Sequence, residues 1–124
     1  DKSDIFAIDV GNKHLVIFCS EKSAEFMAKK AEGCGLFPGG VNVERCEETA
    51  RGARVEVYER GSGYTFACGS GAVAVAKALS LRRGGDEFEI IMRGGTLWVT
   101  LTENAAYLKG GVKEVFEGSA DYGV

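Results

Sequence analysis

Tyr64-Thr65-Phe66-Ala67-Cys68-Gly69-Ser70-Gly71-Ala72-Val73-Ala74-Val75-Ala76-Lys77-Ala78-Leu79 decides how this 124-residue chain folds. A short apolar and aromatic run reaches a cysteine, glycines allow a tight turn behind it, and small and aliphatic residues continue with no polar face until Lys77. The stretch reads as a strand, a turn and a buried helix. Alanines at 72, 74, 76 and 78 favour a helix interior. A surface helix shows one apolar stripe; this one is apolar almost all round, so other elements must surround it. Arg82 and Arg83 suit a helix C-terminus, and Gly84-Gly85 ends it.

Cys68 stands at the mouth of that helix. The N–H groups of Gly69, Ser70 and Gly71 lack intrahelical partners there, so they can hold a carboxylate or phosphate and stabilise a thiolate. Cysteines so placed titrate at roughly 3.5–7.5 rather than about 8.5, and a lowered value is expected of Cys68. The plainer alternative is a small buried hydrophobe. Gly69 to Ala74 also fits the dinucleotide fingerprint G-x-G-x-x-G/A, with Glu87 and Glu89 in range of its acidic position. That fingerprint needs strand and helix to alternate, whereas strand after strand follows here with no second helix, so the alternation required for a parallel sheet is absent.

The length suits one domain with one core. A net charge of −3 and a pI near 5.2, with Lys29-Lys30 and Arg82-Arg83 as the only basic doublets, argue against a nucleic-acid partner. No apolar run is long enough to cross a bilayer, and Asp1-Lys2-Ser3-Asp4 lacks the shape of a signal peptide. Four scattered cysteines without C-x-x-C, and one histidine, make a metal site unexpected. Reduced thiols in a cytoplasmic protein are the expectation, with Cys19, Cys34 and Cys46 as packing residues.

Asp4–Val10 and His14–Cys19 read as strands joined at Gly11-Asn12-Lys13. Ser23 caps a short amphipathic helix with Phe26, Met27 and Ala31 on its apolar face, ended by Gly33. Val41–Cys46 alternates like a half-buried strand with Asn42 on its polar face. In Ala53–Arg60, Val55, Val57 and Glu59 share a face, and a carboxylate that continues an apolar face suggests a pair or a ligand. Phe88–Met92, Thr96–Leu101, Ala105–Lys109 and Val112–Phe116 are further strands. The expected fold is α+β: a curved, mainly antiparallel sheet or barrel wrapped around one buried helix.

Glu59-Arg60-Gly61-Ser62-Gly63-Tyr64-Thr65-Phe66-Ala67-Cys68-Gly69-Ser70-Gly71-Ala72 resembles the second signature of the diaminopimelate epimerases. Gly11-Asn12-Lys13-His14, Val41-Asn42-Val43-Glu44 and Val115-Phe116-Glu117-Gly118 resemble further landmarks of that family, in the expected order. The resemblance implies two similar domains, each a curved sheet around a helix, with the active site between them. Residues 1–124 resemble only the C-terminal one, so an N-terminal half with a second cysteine loop is the implied partner. It also implies interconversion of LL- and meso-diaminopimelate, an amino-acid substrate of lysine and peptidoglycan precursor synthesis, with no cofactor. One cysteine thiolate removes the α-proton while a thiol on the other face delivers another. Cys68 is then one acid/base, and Gly69 and Ser70 bind the α-carboxylate. Asn12, Asn42, Glu59 and Arg60 bind the rest of the substrate, and His14 supports the site. With one cysteine the chain alone is expected to be inactive. The family usually has proline where Lys13 stands and glutamate where Tyr64 stands. A racemase for another amino acid, or a non-catalytic domain that pairs with a second copy of itself, therefore stay open as alternatives.

Overall fold

A computed structural model describes residues 4–123. The elements run β1 (Ile5–Asp9), β2 (Lys13–Phe18), α1 (Ala24–Gly33), β3 (Asn42–Glu48), β4 (Gly52–Glu59), β5 (Gly63–Thr65), α2 (Gly69–Arg83), β6 (Glu87–Met92), β7 (Gly95–Leu101) and β8 (Ala106–Gly110). They form an eight-stranded sheet in the order β1-β2-β3-β4-β6-β7-β8, with β5 paired to the end of β4. α2 touches every strand on that path. The expected curved sheet around a buried helix is present, as an open curl with β1 and β8 at its edges rather than a closed barrel.

Most neighbours are antiparallel, as expected of a mainly antiparallel sheet, and two pairs, β2 with β3 and β4 with β6, are parallel. Each parallel pair is bridged by a helix, α1 in the first and α2 in the second. Crossovers of this kind are right-handed, and β3 and β4 run antiparallel while both crossovers move the same way across the sheet. The same hand must then place the two helices on opposite faces. The side chains agree: Val16, Phe18, Cys46, Val55 and Ile90 pack with α2, whereas Ile17, Val41 and Val43 pack with Ala24, Ala28 and Ala31 of α1.

Ser23 caps α1 as expected, its hydroxyl accepting from the Phe26 amide at 3.1 Å. The buried stripe is Ala24, Ala28 and Ala31, however, and Phe26 stays exposed, because alanines let the helix lie close on the sheet. α2 has Cys68 as its N-cap, and Gly84, at φ +80°, closes its C-terminus. Arg82 and Arg83 there do more than face the helix dipole. Arg82 reaches Glu48 at 2.7 Å and Asp4 at 2.8 Å, and Arg83 reaches Glu48 at 3.1 Å, tying α2 to β3 and to the chain before β1. The expected strand at Val112–Phe116 is absent, and these residues are irregular and exposed. Cys46 is buried as expected of a packing residue, while Cys19 and Cys34 lie on the surface.

Candidate active site

The sheet's inner face turns polar at the mouth of α2. His14 and Asn42 are partners in the parallel β2–β3 pair, and alternation puts Glu44 and Cys46 on the same face of β3 as Asn42. The face expected to be merely polar therefore points at the central helix: Asn42 is 9% exposed, and His14 and Glu44 are 0% exposed. Glu44 Oε1 lies 2.6 Å from His14 Nδ1, and His14 Nε2 is 3.2 Å from Asn12 Oδ1. Asn12 Nδ2 donates to Ser70 Oγ at 3.4 Å, and Ser70 Oγ lies 3.4 Å from Cys68 Sγ. Asn12, His14, Ser70 and Cys68 thus share one network.

Cys68 Sγ accepts from the Gly71 amide at 3.3 Å, while the Cys68 amide donates to Met92 Sδ at 3.4 Å. The thiol is pushed up from its ordinary value rather than down. Burial is the main cause; the Ser70 hydroxyl and the Gly71 amide oppose it, and the charges of Glu59 and Glu44 add to it. The expected lowered value is corrected on that ground: removal from water outweighs the helix start. Burial also raises Glu44 above the usual carboxylate range, against the hydrogen bond and charge of His14. Neither Gly69 nor Gly71 has positive φ, so the turn does not need them. What Gly71 supplies is space, since a Cβ there would stand 2.7 Å from Glu44 Oε1.

Asn42 ties strand ends together, its Nδ2 donating to Lys13 O at 3.2 Å and its Oδ1 accepting from the Arg60 amide at 2.8 Å. Glu59 continues the inner face of β4 and is half-buried. The Arg60 side chain goes the other way, its guanidinium donating to Gly39 O at 2.8 Å and its aliphatic stem lying over Gly40. Gly69 and Ser70 open onto a hollow of about 520 Å³ with Val10, Val73, Ala106 and Leu108. Tyr64 does not approach Cys68: its ring meets Tyr58 edge-on and its hydroxyl accepts from the Glu25 amide at 3.3 Å, on the α1 side. The turn that carries Asn12 does not depend on a proline at position 13, because Asp9 Oδ1 accepts from the Gly11 amide at 2.9 Å.

Glu44 is the site residue not singled out from the sequence. Its signal was period two: Asn42, Glu44 and Cys46 alternate with Val41 and Val43, and one of those sets had to face the central helix.

A sheet curled around a helix is also the fold of solved PhzF-family phenazine biosynthesis proteins. Those of Enterococcus faecalis and Bacillus anthracis superpose with TM-scores of 0.61 and 0.56 at 19% identity, over 85% and 84% of this chain and 40% and 37% of theirs. The class is thus a curved sheet around a central helix, and the chain spans about two fifths of those solved chains. The family model for diaminopimelate epimerase matches residues 6–115, and the chain belongs to that family. It is 36% identical to the diaminopimelate epimerase of Archaeoglobus fulgidus over 94% of this chain and 43% of that protein. It is 38% identical to that of Mycolicibacterium smegmatis, over 95% of this chain and again 43% of that protein. The chain therefore spans less than half the length of these relatives.

Proposed function

We propose that this chain supplies one of the two acid/base cysteines of an epimerase that interconverts LL- and meso-diaminopimelate without a cofactor, the other cysteine residing in an N-terminal half. The observation that carries this reading is the placement of Cys68: Sγ at the mouth of α2, joined through Ser70 to Asn12 and His14, beside the amides that open onto the hollow. A thiolate from the other half takes the α-proton, the Cα–H bond breaks, and the Cys68 S–H delivers its proton to the opposite face of the carbanion. In the reverse direction the two sulfurs exchange roles. Charge that gathers on the substrate carboxylate is met by the Gly69 and Ser70 amides, preorganised donors that need no rearrangement as it develops. Glu59 is placed to meet the α-ammonium, and Asn12 and Asn42 to shape the rim. Arg60 reaches the distal end if its guanidinium leaves Gly39. The raised thiol suits proton delivery, since Cys68 keeps its proton at neutral pH until the carbanion takes it.

Four unpaired thiols suit a cytoplasmic location. With position 64 facing α1, the loss of the family's glutamate there leaves the Cys68 surroundings unchanged, which favours diaminopimelate over another amino acid. Incubation with meso-diaminopimelate in D₂O tests the reading. The 124-residue chain is expected to incorporate no α-deuterium, and the intact two-domain protein to exchange rapidly and to lose exchange on Cys68→Ala. Rapid exchange by the chain alone, or full activity in that variant, overturns it. Exposed Leu108 on the wall of the hollow, and exposed Phe66 two residues before Cys68, favour self-association of the isolated chain as a second reading. A concentration-independent monomer mass in sedimentation would remove it.

A further inference from the structure

The hydrogen bonds from Glu44 to Cys68 form one unbroken chain through His14, Asn12 and Ser70, with links of 2.6, 3.2, 3.4 and 3.4 Å. An amide has an acceptor end and a donor end, so Asn12 makes the directions on its two sides depend on each other. As placed, Asn12 turns Oδ1 to His14, so Nε2 must carry a hydrogen. Its Nδ2 donates to Ser70, and the hydroxyl hydrogen is left to point at Sγ, which favours a thiolate. With Nε2–H fixed, the short contact between Nδ1 and Glu44 Oε1 needs a second proton, held on one atom or the other.

Turning the Asn12 amide by half a revolution reverses every link. Nδ2 then donates to Nε2, Oδ1 accepts from Ser70, Ser70 accepts from the Cys68 S–H, and Nδ1–H donates to an ionised Glu44. Both arrangements contain the same number of protons and the same net charge. In the first the Glu44–His14 pair is one proton richer, and in the second Cys68 is.

The surroundings favour such an exchange. Glu44 and His14 are fully buried, Glu44 Oε2 has no hydrogen-bond partner among the described residues, and net charge on the pair is therefore costly. Asn12 is exposed and has room to turn. The other titratable groups that act on Cys68 or Glu44 are Glu59 from β4 and, deeper on β3, Cys46, and neither belongs to the chain of links. We propose that Glu44 and His14 are positioning residues that hold or release one proton in step with Cys68, the coupling being carried by the orientation of Asn12 and Ser70. Its bearing on turnover rests on the epimerase reading; the coupling itself is a property of this chain.

The chain has one histidine, so ring ¹⁵N resonances report His14 alone. Alkylation of the 124-residue chain by iodoacetamide, read at Cys68 by peptide mass, reports the thiolate separately from exposed Cys19 and Cys34. Coupling stronger than about one pH unit resolves into separate steps. The expected alkylation profile has two inflections, and the His14 tautomer changes where Cys68 ionises. Glu44→Gln is expected to remove the extra inflection, to leave the His14 signals flat there, and to change the alkylation rate at fixed pH by about tenfold, one pH unit being that factor. Asn12→Ala breaks the same chain from the surface and is expected to uncouple the two sites even if Glu44→Gln fails to fold. Cys68→Ala must shift the His14 step in return, because coupling is reciprocal. A single-step profile in the unaltered chain, or one unmoved by Asn12→Ala, overturns the proposal. Coupling found in a chain that also fails to support α-proton exchange in the intact protein would sink the epimerase reading alone.

Discussion

The Gly71 amide and the Ser70 hydroxyl both favour a thiolate at Cys68, yet burial keeps its thiol above the ordinary range. Which force wins at a helix mouth depends on how much water reaches the sulfur, and composition carries no record of that. Ser70→Ala removes one opposing hydrogen bond and is expected to raise the thiol further. Alkylation of Cys68 at fixed pH should then slow by roughly three- to tenfold, the worth of one such bond. Gly71→Ala drives a methyl group to 2.7 Å from Glu44 Oε1 and 3.3 Å from Cys68 Sγ. A loss of roughly 1–3 kcal/mol is expected, measured as a lower urea midpoint, together with changed Cys68 reactivity. Glu44 was hard to read for a related reason: a carboxylate in an alternating strand ordinarily marks the solvent side. Only the presence of a helix inside the sheet inverts that rule.

α1, α2 and the hairpins were legible because period, capping and turn chemistry are local. The Ser23 cap, the Gly84 stop and the Gly11 turn each depend on neighbours a few residues away. The pairing of β2 with β3 and of β4 with β6 was not legible, since a strand's alternation does not name its partner. At the second of these junctions Gly52 lies against the Glu89 backbone with no room for a side chain. Gly52→Ala is expected to pry β4 from β6 at a cost of about 3 kcal/mol, the upper end of overpacking, read as a drop in urea midpoint. Because β3 and its register with β2 lie on the other side of β4, the Glu44–His14 contact should outlast that change in the fraction still folded. The strand expected at Val112–Phe116 did not form although β8 is an open edge: β8 ends at Gly110, and residues 112–116 are irregular and exposed.

Over the whole molecule, two consequences reach measurement. Cys46 is pushed well above its ordinary value by burial, with Glu44 adding to it, and Cys68 is raised as well. Folding therefore holds protons that the unfolded chain gives up once pH passes the usual thiol value of about 8.5. Their stabilisation is complete below that value and is lost as pH rises through the raised values. Urea midpoints should be level at neutral pH and fall on the alkaline side, and Cys46→Ala should flatten that fall. Val112, Val115, Phe116 and Tyr122 are at least 85% exposed, so truncation after Gly111 is expected to move the midpoint by no more than about 0.5 kcal/mol. A larger shift would mean that the tail packs on the sheet.

The order of the strands across the sheet is also their order along the chain, β5 aside. No strand has to be threaded between two already laid down, and no ring has to close. A polypeptide leaving the ribosome can add each strand to the one before it, set α2 on the half-built surface, and let the last three strands fold over it as they emerge.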